Sequence, residues 1–502
     1  MSHLIALPFV LPLLAGAVLV ALGERARASR WVTGLASILG LVVAALLLRQ
    51  VHDSPISYQL GSWPWPVGIE LYADRTSAAL VLLSAVVAAV ATLPAVGYDA
   101  GRGRHFLALL QFQLAGINGS FLAGDLFNLF VCFEILLISS YALLVHGHER
   151  PPRAAIVYTV LNLTGSTLFL IGVALVYGAT GTLNLADVTA RLADLPADTR
   201  GFGLAGAWLL ALVFALKSAL LPLGLWLPST YAVASPTVAA IFMLLTKVGV
   251  YALMRLYGPW LDSSAPLASV GQALGVAAAA SALVGALLAL ASRSLRQLAG
   301  SLVLVSVATA LMALSAGGER AAAAALFYTL HSTLAAASLF LVAACVARLR
   351  GKAGDDLTTS PPVTWRGGLV LLYFGIAVLV AGLPPLSGFI GKVGALEVLA
   401  RTPNGAALVG VLLTASLLGL IATVRAGNAL FLRSPAEASR APAGSGARTT
   451  GGAAALMFGL SVLLTVFAGP IREWVDVAGT QIGSPRQLRS LSQAELLEEP
   501  RP

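Results

Sequence analysis

Long apolar runs broken by short polar connections dominate the chain. A bilayer-spanning helix needs about 20 mostly apolar residues, and segments of that kind fall at roughly 4–22, 31–49, 75–98, 105–122, 126–145, 154–178, 203–225, 231–257, 268–291, 298–316, 321–346, 367–390, 405–431 and 453–469. The first run, Leu4 to Leu22, is too long and unbroken for a signal-peptide core and lacks a basic leader, so it counts as a span. The pattern predicts an all-α polytopic membrane protein of about 14 transmembrane helices. Residues 471–502 are polar and mixed in charge, with Glu495, Glu498 and Glu499, and read as a solvated tail or surface helix.

Two of the spans contain residues that a continuous helix tolerates poorly. Residues 216–228, LKSALLPLGLWLP, place Pro222, Gly224 and Pro228 in or just after the seventh span, and residues 382–391, GLPPLSGFIG, place Pro384 and Pro385 among glycines in the twelfth. Both read as discontinuous helices. Broken helices at matching places in two halves point to an inverted repeat. The expected units are therefore residues 1–104 as N-terminal helices, 105–257 and 268–433 as five-helix repeats, and 434–502 as a last helix with its tail. An odd helix count turns the second repeat upside down relative to the first.

Composition narrows the function. Of 502 residues 58% are hydrophobic and 11% charged, which excludes a soluble enzyme. The net charge of +9 is a topology signal and gives no reason to expect nucleic acid as a partner. Loops on the side of the first connection hold 16 Lys and Arg (for example Arg25, Arg27, Arg102, Arg150, Arg293, Arg348, Arg366, Arg433), against 11 on the other side with the tail included. That bias predicts both termini outside. Cys132 and Cys345 lie in apolar runs, so neither a disulfide framework nor an iron–sulfur site is expected, and no cofactor or metal is assigned. Walker, zinc-protease and nucleophile-elbow motifs are absent, which argues against ATP-driven transport and hydrolysis.

The basic side chains are sorted by type. Only four are lysines, and three of these, Lys217, Lys247 and Lys392, fall within apolar spans or at the end of one. A lysine at the bilayer centre costs about 2.5–3.5 kcal/mol on insertion scales. Lysine can also shed its proton on desolvation, whereas arginine stays charged. Lysines inside and arginines outside therefore suggest proton handling. Glu134 is the clearest mid-span acid, and Lys217 is its candidate partner; a static ion pair fixing helix register is the structural alternative. His331 is the one histidine deep in a span and titrates near neutrality. Snorkelling or interfacial anchoring is the alternative for Lys247 and Lys392, and a satisfied core imidazole the alternative for His331. Ser218, Thr246, Ser306, Thr309, Ser332, Thr333 and Ser387 lie between these points as weak candidates for holding water. Asp125 reads as a helix N-cap. Arg425 admits a lipid, a neighbouring-subunit or a proton-path role.

GDLFNLFVCFEILLISSYALL (124–144), FALKSALLPLGLWLPSTYAVASPTVAAIFMLLTKVGVYALMRLY (214–257), LHSTLAAASLFL (330–341) and LPPLSGFIGK (383–392) carry a resemblance. Over about residues 70–430 the chain resembles the antiporter-like membrane subunits shared by respiratory complex I, membrane-bound hydrogenases and Mrp (Mnh or Pha) cation/proton antiporters, and is most similar to the D-type branch of the Mrp subunits. The resemblance implies 14 helices, discontinuous seventh and twelfth helices, and a midplane proton pathway on Glu134, Lys217, Lys247, His331 and Lys392. Thr309, Ala335 and Ala336 depart from complex I relatives, and lysine rather than glutamate at 392 favours the Mrp branch.

The expectation is a proton-translocating subunit of a multisubunit Na+(K+)/H+ antiporter in a bacterial plasma membrane. It would be a secondary transporter subunit, not an enzyme, working with other hydrophobic subunits (A, B, C, E, F and G-like), lipid, protons and Na+ or K+. The alternative is the equivalent subunit of a redox complex such as complex I or a membrane-bound hydrogenase. A stand-alone carrier for an organic solute is the weakest alternative.

Overall fold

A computed structural model describes residues 2–23, 25–63, 68–97, 105–146, 151–193, 195–261, 267–358, 367–432 and 445–483. Arg102, Arg104, Arg150, Arg366, Arg433, Arg440 and everything after residue 483, including Glu495, Glu498 and Glu499, lie outside the described residues. The first three spans are α1 (Leu7–Leu22), α2 (Ala26–Gln50) and α3 (Arg75–Gly97). A first set of five follows: α4 (Phe106–Leu122), α5 (Leu126–Val145), α6 (Arg153–Thr180), the pair α8 (Ala197–Lys217) and α9 (Trp226–Val233), and α10 (Pro236–Tyr257), with a short α7 (Leu185–Ala193) before α8. A second set comprises α11 (Ala268–Ala291), α12 (Leu295–Ser315), α13 (Gly318–Arg350), the pair α14 (Gly367–Ala381) and α15 (Ser387–Leu399), and α16 (Gly405–Gly427). The chain closes with α17 (Ser445–Val466) and α18 (Ala468–Gly483). Twelve described helices are long and apolar enough to cross a membrane, and the shorter α4 and α14 complete the expected set.

Local chemistry sets the boundaries. Asp125 caps α5 by accepting from the Asn128 amide at 2.7 Å, Ser235 precedes Pro236 at the start of α10, and Ser294 caps α12. All three are the residue types that satisfy free first-turn amides. α6 ends at Gly181, whose φ of 68° lets its amide reach the Tyr177 carbonyl at 2.7 Å.

The two sets repeat one tertiary device. Around Asp125 and Asn184, Leu126 N donates to the Leu183 carbonyl and Leu185 N to the Gly124 carbonyl. Around Ser294 and Asp356, Leu295 N donates to the Asp355 carbonyl and Leu357 N to the Arg293 carbonyl. Each bridge ties the start of a set's second span to the chain leaving its third. Five spans per set place the two bridges on opposite faces of the membrane.

Burial identifies the centre. The apolar window of α10 is 100% buried and that of α12 94%, against 28% for α2 and α16. Outward residues of the peripheral helices, such as Leu35, Ile38, Leu413 and Leu417, are exposed and apolar, as a lipid-facing surface requires.

The structure departs from the sequence expectations in four places. The connection from α2 to α3 forms an antiparallel hairpin, β1 (Ile56–Gln59) with β2 (Glu70–Ala73), in a chain expected to be all helical. The seventh span runs on through α9 to Val233, so the eighth begins at Pro236 rather than 231. The described part of the polar segment from 471, which ends at Gly483, lies in α18, a helix packed on α13 and α3. Its Gln481 accepts from the Arg75 amide at 3.1 Å, and Trp474 lies under the Arg75 guanidinium. Arg425 donates to the Ser292 carbonyl at 3.1 Å, tying α16 to the end of α11.

Candidate functional site

The first helix break follows Lys217. Ser218 and Leu220 still donate back to Phe214 and Ala215, at 2.9 and 2.8 Å, before Pro222 ends the pattern. The Leu221 amide freed there donates to Ser281 Oγ of α11 at 2.9 Å. Gly249 of α10 packs against the break. A Cβ at that position would stand 2.8 Å from Ser218 N and 3.0 Å from the Lys217 carbonyl carbon.

The second break follows Ala381, where Gly382 adopts φ 72° and Pro384 and Pro385 follow. Here the Ser387 amide donates to Thr465 Oγ1 of α17 at 2.8 Å. In both breaks a hydroxyl from a neighbouring helix satisfies an amide that lipid would leave unpaired.

The structure brings the ionisable residues of the spans to these breaks. Lys217 is 4% exposed; its ammonium donates to the Asn162 carbonyl and Oδ1 at 3.3 and 3.4 Å and to Ser166 Oγ at 3.5 Å. Asn162 Nδ2 is engaged with the Tyr158 carbonyl, which turns Oδ1 toward the lysine. The ammonium also lies 5.7 Å from the centre of the Phe133 ring. Glu134 is within electrostatic reach of Lys217, but the two form no ion pair, and Glu134 Oε1 is buried without a hydrogen-bond partner. The expected direct pairing is thus replaced by a polar cradle from α6. Lys247, 1% exposed at the centre of α10, has no hydrogen-bond partner for its ammonium.

In the second set His331 Nδ1 lies 3.0 Å from Ser387 Oγ, directly at the break. The imidazole is within electrostatic reach of both Lys247 and Lys392. Lys392 lies in the second turn of α15, the second half of the broken helix, and its ammonium donates to the Ala381 carbonyl at 2.7 Å and to Ser416 Oγ at 2.8 Å. None of the ion pairs among the described residues includes Lys217, Lys247 or Lys392.

Two cavities meet this end of the chain of groups. One of about 30 Å³ is lined by Ser306, Tyr328, His331, Ser332, Lys392 and Ser416, and has room for water. The other, about 440 Å³, opens between α13, α15 and α18, with Glu319, Arg320, Glu397, Arg401, Arg472 and Asp476 on its walls. The two share α13 and α15: Phe327 and Gly391 face the larger cavity where Tyr328 and Lys392 face the smaller. Of the other hydroxyl candidates, Ser218 has no partner, whereas Thr246, Thr309 and Thr333 turn to carbonyls of their own helices. Asn162, Ser166 and Ser416 escaped the sequence reading, since a neutral polar residue in a span is usually helix packing.

Comparison with known proteins adds to this geometry. A family model described as NADH:quinone oxidoreductase/Mrp antiporter, TM, matches residues 123–423. The D subunit of a probable K(+)/H(+) antiporter of Rhizobium meliloti is 39% identical over 422 residues, covering 78% of each chain. The D subunit of the Na(+)/H(+) antiporter of Alkalihalophilus pseudofirmus is 34% identical over 402 residues, covering 78% of this chain and 80% of that one. Among solved structures, a chain of the Mrp complex from Dietzia sp. superposes with TM-score 0.84 at 25% identity, covering 97% of this chain and 98% of that one. A chain of the archaeal membrane-bound sulfane sulfur reductase gives 0.87 at 26%, covering 97% and 99%.

Proposed function

Since the chain belongs to the NADH:quinone oxidoreductase/Mrp antiporter family of membrane subunits, we propose that it is the proton-translocating D-type subunit of a multisubunit Na+(K+)/H+ antiporter. It exchanges cytoplasmic monovalent cations for protons at the expense of the proton gradient, in a bacterial plasma membrane, with both termini outside. Its partners are the other hydrophobic subunits of such a complex.

The observation that carries this reading is the run of ionisable groups from part-buried Glu134 through buried Lys217, Lys247 and His331 to Lys392, spanning the two helix breaks with no ion pair to hold the lysines charged. A charge arriving on one group changes the energy of the next. At 4 Å and an effective dielectric constant of 20 that push is about 4 kcal/mol, and it falls in inverse proportion to distance. A charge change at Glu134 and Lys217 would bias Lys247 at the centre and propagate to His331 and Lys392, with the water of the large cavity at the outer end of the path. Pro222, Pro384 and Pro385 keep the backbone open where the proton crosses.

The deciding measurement is sodium- or potassium-driven proton movement in vesicles holding the whole complex. Lys217→Ala is expected to abolish it while the subunits still co-purify; undiminished transport would sink the relay. The likeness to the sulfane sulfur reductase chain supports a second reading, a proton-conducting subunit of a redox complex. Iron–sulfur or flavin subunits co-purifying in stoichiometric amount would select it, and small hydrophobic subunits without iron or flavin would select the antiporter.

A further inference from the structure

The relay uses one residue of α10, yet the helix carries more. Lys247, Tyr251 and Arg255 are spaced i, i+4 and i+8 and so share a face, along a segment that is buried throughout. Arg255 Nε donates to the Tyr251 hydroxyl at 3.0 Å, and Nη2 pairs with Asp74 Oδ1. The guanidinium lies 5.3 Å from the centre of the Tyr72 ring and 5.1 Å from that of Tyr251. Asp74 precedes α3 and caps it, accepting from the Ser77 amide at 2.9 Å through the same Oδ1.

The other polar atoms around this face lack partners. Asp74 Oδ2, the Tyr72 hydroxyl, the Thr76 hydroxyl and the Lys247 ammonium are all buried with none. Buried polar atoms that protein leaves unmatched are normally met by ordered water. Here they run from the central lysine to the membrane edge beside β2. A structural staple between α10 and α3 accounts for the Arg255–Asp74 pair. It gives no use to the Tyr72 hydroxyl, which a phenylalanine would replace without any desolvation cost.

We propose that this face of α10 is a hydrated proton branch joining Lys247 to the membrane face that carries β1 and β2, with Tyr251 and Tyr72 as its hydroxyl carriers. The branch rests on the relay reading for Lys247. A proton enters from solvent beyond Tyr72, each hydroxyl releases one proton as it accepts another so both tyrosines end as they began, and the unprotonated Lys247 amine takes the proton from the adjoining water. Asp74 cancels the Arg255 charge that would otherwise repel it.

The test uses the whole complex in proteoliposomes. Tyr72→Phe is expected to lower cation-driven proton flux at least about fivefold, the loss of a proton carrier, with complex yield and Tm unchanged. Hydroxyl-radical footprinting of the wild-type complex should oxidise Tyr251, which at 1% exposed is reached only by internal water. Wild-type flux in Tyr72→Phe, or an unlabelled Tyr251, overturns the branch. If Tyr72→Phe does not assemble, the footprint decides alone. Lys217→Ala serves as the control: lost flux there with full flux in Tyr72→Phe removes the branch and keeps the relay, while full flux in Lys217→Ala removes the relay and the branch with it.

Discussion

The Lys392 ammonium donates to the carbonyl of Ala381, the last residue of α14, from the opposite side of the second break. Lys217 is itself the last residue of α8. Both buried ammonium groups thus belong to the C-terminal, negative end of a half-helix, where a cation is favoured, although one lysine precedes its break and the other follows it.

That placement separates a carrier from an anchor. Lys392→Met fills similar volume and is expected to keep the complex assembled while cutting proton flux at least about tenfold. Lys392→Arg keeps the charge, but guanidinium does not release its proton. It is therefore expected to be as inactive as the methionine variant in the same vesicle assay; recovery of transport would make Lys392 an anchor.

The cradle of Lys217 makes its own prediction. Asn162→Leu removes the Oδ1 acceptor from a buried charge, a loss of about 1.5–3 kcal/mol for a hydrogen bond to a charged group. Flux in reconstituted complex should fall by about tenfold or more, while Ser166→Ala, losing the longest of the three contacts, should fall less.

Gly249 is expected to tolerate no side chain. Gly249→Val would push α10 off the backbone at Lys217–Ser218, at a typical overpacking cost of about 1–3 kcal/mol. Reduced complex yield and a lowered Tm are the outcome to look for, and wild-type values for both would show that the break gives way easily.

Asp74 lies just outside the spans, and its ionisation bears on acid stability. Burial pushes its carboxyl up, but Arg255 and the Ser77 amide and hydroxyl more than offset this and leave it below the usual carboxylate range. Its stabilising contribution is complete above the unfolded value near 4 and fades as pH falls through the lower folded value. The Tm difference between wild type and Asp74→Asn should therefore be constant from about pH 8 to pH 5 and shrink only below about pH 4.

Orientation can be read with a single thiol. Cys132 and Cys345 are buried, so a membrane-impermeant maleimide should leave the wild-type chain unlabelled. Glu397→Cys, at the mouth of the large cavity, should react in intact cells if the termini are outside; labelling only in inverted vesicles would reverse the assigned topology.

The spans, both breaks and the buried lysines were legible because each is a local signal: apolar length, proline with glycine, and a charge where apolar residues surround it. Their partners were not. Lys217 meets Asn162 at a separation of 55 residues, Arg255 meets Asp74 at 181, and Arg425 meets a main-chain carbonyl at 133, an acceptor that every residue type offers. The hairpin β1–β2 was hidden for a different reason. Its pairing strands are four residues each, too short for alternation to stand out beside the helical runs.

The two backbone bridges have a mechanical consequence. Asp125–Asn184 clasps the first set of helices at the membrane face that carries β1 and β2, and Ser294–Asp356 clasps the second set at the other. Each set resembles a hinged fan bound at one rim, free to spread only at the rim without a clasp. The large cavity of the second set lies at its unclasped rim, between the start of α13 and the end of α15. With the two sets bound at opposite rims, a gap opening at the free rim of one set would face the compartment opposite to a gap at the free rim of the other.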